Sequence, residues 1–343
     1  MRRLGSALLA VSMFAGCGGL ETEPSPESLT SPSFEAQQAP LTTTNVDVAP
    51  ECQGIITFVN TASFQTLDVY LPSNVATNLV NRRATAPFTT LASVSSVSLV
   101  GEARLKEIEQ GARATGAIGS SCVGIFDGLA ISTSDAAAIV SLVNTIPDSE
   151  LHDVLPDAWN GAVNLLSQRP FTTAQAISNV AGIGEVSFRN IRNSATLSRP
   201  FEALATALNA IPSNGSRGAQ LKRHFDWWNE VTAQHGYSQG GPTCFGLEPG
   251  SVPSGATIRP NLANAAEVRA AVVNTINYVN GNTLISASVR NAGLANLDTL
   301  SAGRSFKGCI FSYADDPWSR HNISIFVDTV NGFSVFTETW WAE

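Results

Sequence analysis

Apolar residues recur every three or four positions through much of the first half of the chain, the spacing of one face of an α-helix. Val75, Leu79 and Val80 form one such stripe, and Leu105 and Ile108 begin another. Each predicted helix is short and has one apolar stripe to bury. Four or five such helices can bury their stripes against one another, so the pattern predicts a compact helical unit.

The second half of the chain opens with two further helical patterns, at 200–211 and 221–231. The stretch 236–260 is rich in Gly, Pro and Ser and predicts a loop or a domain boundary. A plain helical pattern follows at 265–279. This part of the chain therefore predicts helices that flank a long loop.

The last part of the chain changes its period. Apolar and polar residues alternate at 309–313, 323–328 and 333–341, as they do along a half-buried β-strand. Asn331 and Gly332 lie between the last two of these segments, and Asn-Gly is the strongest short signal for a hairpin turn. The pattern predicts a small antiparallel sheet packed on the preceding helices.

A series of landmarks occurs twice in the first half of the chain. The offset is 84 residues between Asn60 and Asn144 and 83 residues between Gly101 and Gly184, so one deletion accounts for the difference. Agreement at this many positions predicts an internal repeat. The matched landmarks are Asn60-Thr61 with Asn144-Thr145, Leu71-Pro72 with Leu155-Pro156, Pro87-Phe88-Thr89-Thr90 with Pro170-Phe171-Thr172-Thr173, and Val100-Gly101-Glu102 with Ile183-Gly184-Glu185.

The repeated pattern resembles the helix-hairpin-helix domain of ComEA-type competence DNA receptors. In that family Val-Asn-x-Ala-(Ser/Thr) opens a helix, a Leu-Pro-Gly-Ile-Gly hairpin follows, and Pro-Phe and a second Gly-Ile-Gly come later. The resemblance covers roughly 56–110 and 140–193. It implies a mainly α fold with two helix-hairpin-helix units, at 51–125 and 126–198. An α+β C-terminal domain with the small antiparallel sheet is predicted at 199–343.

The resemblance also implies a candidate DNA contact, because such hairpins bring backbone N–H groups to a phosphate at a helix N-terminus. In this chain only the second hairpin of the second repeat keeps both glycines. The implied contact residues are Gly182, Ile183, Gly184, Arg189 and Arg192. The alternative is that the two glycines simply allow a tight turn between helices. The residues leave both interpretations open.

Charge argues against a dedicated nucleic-acid binder, because Lys and Arg must neutralise phosphates. The chain has 20 Lys and Arg against 28 Asp and Glu, a formal net charge of −8. Across 52–195 there are 8 basic and 11 acidic residues, a net of 8 − 11 = −3. The favoured partner is therefore another protein, with weak binding of double-stranded DNA as the alternative.

The start of the chain predicts export. Residues 1–17 combine two arginines, an apolar run too short to span a bilayer, and a final Ala-Gly-Cys. This ending resembles a lipoprotein processing site, which implies that Cys17 carries a lipid; an ordinary secretory signal is the alternative. Gly18 in place of Asp implies the outer membrane. Residues 18–50, rich in Ser, Thr, Pro, Glu and Gln, predict a flexible tether.

Four further cysteines, Cys52, Cys122, Cys244 and Cys309, predict two disulfides in an oxidising compartment. Three pairings are possible. Cys52–Cys122 and Cys244–Cys309 are favoured because each pair brackets one predicted unit. A zinc site is disfavoured, because no two of these cysteines lie two to four residues apart.

No catalytic motif of the common hydrolase, metalloprotease or nucleotide-binding types occurs in the chain. His224, His235, Asp315 and Asp316 are the residues from which a metal or acid–base site could be assembled, so a hydrolase in the C-terminal domain is a remote alternative. The sequence predicts a non-enzymatic, lipid-anchored envelope protein that acts as a binding or scaffold module, with no metal and no cofactor.

Overall fold

The structure is a computed structural model that describes residues 41–213, 215–233, 238–239, 241–252 and 255–343. All of these residues belong to one compact unit. The predicted export signal, the lipidation of Cys17 and the first part of the predicted tether lie outside the described residues.

The first repeat is a unit of five helices. Ser63 and Thr90 accept hydrogen bonds from backbone N–H groups three residues ahead and so cap the second and fourth of them. The helices are α1 Gly54–Thr61, α2 Phe64–Asp68, α3 Ser73–Thr85, α4 Leu91–Ser95 and α5 Glu102–Ala114.

A two-stranded antiparallel hairpin, β1 Cys122–Phe126 and β2 Leu129–Ser132, follows the first repeat. The second repeat then has five helices in the same order. Thr173 caps its fourth helix as Thr90 caps that of the first repeat. The helices are α6 Thr133–Thr145, α7 Asp148–Val154, α8 Trp159–Gln168, α9 Ala174–Ser178 and α10 Glu185–Thr196.

The same side-chain contact holds the two repeats in shape. Asn60 donates from Nδ2 to the carbonyl of Phe88 at 2.8 Å and accepts from its N–H at 2.9 Å. Asn144 makes both bonds with Phe171, at 2.9 and 2.8 Å. The repeat seen in the sequence is therefore also a repeat of local structure, and each copy buries its own apolar cluster.

Both predicted disulfides are present. Cys52–Cys122 joins the start of the first repeat to β1, and Cys244–Cys309 joins two neighbouring strands of the C-terminal sheet. All four cysteines are buried.

The C-terminal region is built on one large sheet. Its central strands follow the order β3-β10-β9-β8-β5-β6, and β4 and β7 also pair with β8. The β5–β6 pair is parallel and the other pairs are antiparallel. The strands are β3 Arg217–Lys222, β4 Ser238–Gln239, β5 Thr243–Phe245, β6 Thr257–Arg259, β7 Ala263–Asn264, β8 Ser305–Ala314, β9 Ser319–Asp328 and β10 Ser334–Ala342.

Helices cover this sheet and complete its core. Side chains of α11, α13 and α15, among them Phe201, Val272 and Leu297, share one buried cluster with Phe306 and Phe326 of the sheet. The helices are α11 Arg199–Asn209, α12 Trp227–Thr232, α13 Ala265–Tyr278, α14 Gly281–Leu284 and α15 Ala287–Ser301.

The predicted fold class was wrong. The fold is not mainly α with a small antiparallel sheet, because the described residues include a mixed sheet of eight strands. The predicted helix at 221–231 overlaps β3, and only its end is helical, in α12. The short strands β5 and β6 lie in the predicted loop at 236–260. The sequence pattern did not predict them, because a strand of three residues is too short to show a period of two. The helix at 265–279 and the hairpin at Asn331–Gly332 are confirmed.

Candidate functional site

The Gly182–Gly184 turn is shaped by a close approach between two chain segments. Gly182 has a positive φ of 91°, and a Cβ there would lie 2.9 Å from the nitrogen of Gly161 in α8. A Cβ on Gly161 would lie 2.6 Å from the carbonyl oxygen of Gly182. Gly184 has an extended backbone and open space around it. Two of the three glycines are therefore needed for helix–turn contact.

The first repeat makes the corresponding turn without a glycine at this position. Leu99 takes the place of Gly182 in the alignment of the repeats and has a positive φ of 72°. In each repeat an asparagine of the preceding long helix donates to the turn, Asn78 to the carbonyl of Ser98 and Asn164 to that of Ala181. Both repeats therefore make this turn with the same backbone conformation and the same asparagine hydrogen bond, whether or not a glycine is present.

Carboxylates surround the N-terminus of α10, which is where a phosphate would have to lie. Glu102, Asp127 and Glu185 line one cavity of about 270 Å³ beside this turn. Burial raises the pKa of the Asp127 carboxyl; a hydrogen bond from Ser178 opposes this, and the charges of Glu102 and Glu185 add to it. A phosphate placed here would lie next to these three carboxylates, and Lys106 and Arg189, which pair with Glu102 and Glu185, offset part of their charge.

The two candidate arginines lie in different environments. Arg192 is 2% exposed and donates to the carbonyl oxygens of Thr44 and Val46. Arg189 is more exposed, and its Nη2 lies 3.3 Å from Oε1 of Glu185 on the same helix. Of these two predicted contacts, only Arg189 reaches the surface.

Residues 41–49, the end of the predicted tether, instead form an ordered strap across both repeats. Thr42 donates from its N–H and hydroxyl to Asp135 of the second repeat, at 2.9 and 2.6 Å. Asp47 accepts from the N–H of Ala92 in the first repeat at 2.8 Å. The tether prediction is corrected for this segment, because Thr42, Asp47, Val48 and Ala49 are buried in the folded unit.

Burial lowers the pKa of the Arg192 guanidinium to about 10, and the charge of Asp135 opposes this shift while that of Arg189 adds to it. A charged group in such a place is held by the carbonyl groups that it bonds. Arg192 therefore serves as a clamp on the strap.

A buried ionic network connects the second repeat to the C-terminal sheet. Glu150 of α7 is fully buried and pairs with Arg223, the residue after β3, at 2.6 Å. Arg223 also donates to Ser194 of α10 and to Ser334 of β10, both at 3.1 Å. Removal of Glu150 would leave the buried Arg223 charge with the hydroxyls of Ser194 and Ser334 in these contacts.

His224 extends this network to α11. Its Nδ1 lies 3.0 Å from Oε1 of Glu150 and its Nε2 lies 3.4 Å from Oε1 of Glu202. Burial and the charge of Arg223 oppose protonation, but hydrogen bonds to the two carboxylates outweigh them and raise the pKa of His224. Burial alone would raise the pKa of Glu202; bonds from His224 and Ser198 outweigh it and hold that pKa at about 2.

His321 lies between a different pair of carboxylates on the sheet. Its Nδ1 is 2.7 Å from Glu338 and its Nε2 is 3.1 Å from Asp315. The imidazole stacks on Tyr313, with ring centroids 4.4 Å apart. Both ring nitrogens of His321 thus have protein partners.

The structure does not assemble the constellation considered from the sequence. His224 and Asp315 contact different partners, Asp316 accepts the N–H of Trp318 in a turn, and His235 lies outside the described residues. Across the described ranges, no group of three or more His, Cys, Asp or Glu side chains is arranged to hold a metal ion.

A second, larger cavity lies where the second repeat meets the C-terminal region. It has a volume of about 600 Å³ and is lined by α10, α15, the strap and the turn between β9 and β10. Three arginines from separate segments, Arg189, Arg223 and Arg304, contribute to its lining. We call it the polar cavity. Nothing in the sequence pattern identified it, because its residues come from distant parts of the chain.

No model of a protein family matches the sequence, and comparisons with curated proteins and with solved structures find no match. Within the part of the chain that the structure describes, there is no helix with the length and apolar character needed to cross a bilayer.

Proposed function

We propose that this chain is a non-enzymatic, lipid-anchored protein of the bacterial envelope, in the outer membrane, and that it binds another protein. In this proposal, degenerate helix-hairpin-helix repeats related to those of ComEA-type receptors act as a scaffold. The lipid on Cys17 holds the chain at the membrane, and residues 18–40 connect it to the folded part.

The observation that carries the proposal is the position of Arg192. A DNA-binding hairpin presents its cations to solvent, whereas this guanidinium is buried and bonded to the strap. The carboxylates of Asp127 and Glu185 beside the same turn act in the same direction. Both features favour a hairpin that serves the internal geometry of the protein.

Binding of a labelled DNA duplex, measured by fluorescence anisotropy over a salt series starting at about 50 mM, tests this part of the proposal. We expect no salt-sensitive binding. Affinity that falls steeply with added salt, and that is lost in Gly184→Asp, would overturn the scaffold role and support the receptor-like alternative. Gly184 is suited to this variant because its surroundings leave room for a side chain.

Mass spectrometry of Cys17 and membrane fractionation test the anchor. The proposal predicts a lipid-modified Cys17 at the mature N-terminus and recovery of the protein with outer membranes. Cys17→Ala should release the protein from the membrane fraction. Recovery of unmodified wild-type protein in the soluble fraction would refute the anchor without bearing on the role of the repeats.

A further inference from the structure

The polar cavity has the dimensions of a ligand site. Its volume of about 600 Å³ lies in the range of roughly 300–1,000 Å³ that is usual for small-molecule pockets. It is bounded on one side by α10 of the second repeat and on the other by α15 and the β9–β10 turn. A few residues of an extended peptide would fit such a space.

Two exposed aliphatic side chains lie in the lining of this cavity. Val186 of α10 is 67% exposed, and Val330 of the β9–β10 turn is 62% exposed. A single exposed valine is ordinary, but here two of them come from different elements and line the same cavity. They offer apolar contacts that a purely ionic or sugar ligand would not use.

Two partly exposed arginines complement these valines. Arg189 has one terminal nitrogen on Glu185, and Arg304 has one on the buried Asp328 at 2.7 Å. A guanidinium has five N–H donors in a fixed fork, so each arginine retains donors for a carboxylate ligand. Arg223 also lines the cavity, but its charge is compensated by the buried Glu150.

Asp157 is the one carboxylate among the residues that line the cavity; Glu185, Glu150 and Asp328, which pair with the three arginines, are not among them. We propose that the polar cavity binds an extended acidic peptide segment of a partner protein, with its carboxylates at Arg189 and Arg304 and its aliphatic side chains at Val186 and Val330. This inference rests on the proposed function and names the class of partner that the scaffold binds.

The test uses the full chain and a fluorescein-labelled octapeptide in which valine alternates with glutamate. The control peptide has glutamine in place of glutamate. We expect the acidic peptide to bind, and Arg189→Gln to weaken binding by about fivefold to tenfold through loss of one charge pair. Asp157→Asn should strengthen binding, because it removes the opposing charge. Both variants change surface side chains, and thermal melting checks that they remain folded.

The proposal fails if the acidic peptide does not bind, if the glutamine peptide binds equally well, or if neither variant changes the affinity. Binding of an oligogalacturonate but not of the peptide would also overturn it, since that ligand needs the cations and not the valines. The DNA titration is independent of this result. A chain that binds neither DNA nor peptide would lose the cavity assignment and keep the scaffold role of its repeats.

Discussion

Gly182→Ala should destabilise the second repeat, because that position needs both a left-handed backbone and space. An L-residue at a positive φ costs about 1–2 kcal/mol. The new Cβ would lie 2.9 Å from the nitrogen of Gly161, and such overpacking costs about 1–3 kcal/mol. Alanine also reduces the conformational entropy of the unfolded chain, which offsets about 0.4–1 kcal/mol of this loss of stability. The net loss is about 3 kcal/mol.

Two control variants separate these causes. Gly184→Ala lies two residues further along the same turn, has an extended backbone and meets no atom within 4 Å, so it should change stability by less than about 0.5 kcal/mol. Leu99→Ala keeps an L-residue at the corresponding left-handed position of the first repeat. Since Leu99 is largely exposed, this change should cost less than about 1 kcal/mol.

Differential scanning calorimetry and hydrogen exchange together provide the assay. A loss of about 3 kcal/mol should lower the melting temperature by roughly 5–10 °C in a protein of this size. Amides of the second repeat should exchange faster in Gly182→Ala, with those of the first repeat as an internal reference. If Gly182→Ala and Gly184→Ala lowered the melting temperature equally, or if neither lowered it, the close approach of Gly161 would not be the reason that position 182 requires glycine.

Four further predictions concern the clamp, the ionic network and a disulfide. Arg192→Gln should raise the hydrogen-exchange rate of the strap amides about tenfold or more, since bonds to a charged donor contribute about 1.5–3 kcal/mol; an unchanged rate would refute the clamp. The pKa of His224 is raised in the folded protein, so the stability that its protonation contributes is complete below about pH 6.5 and is lost as pH rises through the folded pKa. The difference in melting temperature between wild type and His224→Gln should therefore narrow as pH rises through this range. The pKa of Glu202 is lowered in the folded protein, so the stability that its carboxylate contributes should disappear as pH falls from about 4.5 through the folded pKa of about 2. A melting temperature of Glu202→Gln that equals that of wild type at every pH would contradict this. Replacement of Cys244 and Cys309 by serine opens a 65-residue loop and should cost about 4 kcal/mol in urea unfolding, with reduced wild-type protein as the comparison.

The internal repeat could be predicted from the sequence because its matched residues make the same local contacts in both copies. Asn60 and Asn144 hold the Pro-Phe segments, and Thr90 and Thr173 cap the helices that follow. Contacts of this kind depend on residue type at a fixed spacing, so they leave a signal in the sequence. The disulfide pairing could also be predicted, because each cysteine pair brackets one predicted unit.

The role of Arg192 could not be read in the same way. Its position after the Gly-Ile-Gly turn predicts a surface cation, and its burial depends on the strap, which lies almost 150 residues earlier in the chain. The composition of residues 18–50, rich in Ser, Thr, Pro, Glu and Gln, predicts a tether there and gives no sign of this contact.

The sequence by itself determined the local features of this protein: the duplicated helices, their caps, the hairpin at Asn331–Gly332 and the two cysteine pairs. The helices, caps and hairpin are set by residues near one another or by a short periodic pattern, and the cysteine pairs by the way each brackets one unit. Tertiary structure alone decided the size of the sheet, the burial of Arg192 and the polar cavity. These depend on contacts between residues far apart in the chain, such as β3 with β10, and no local period records which distant segment a strand or an arginine will meet.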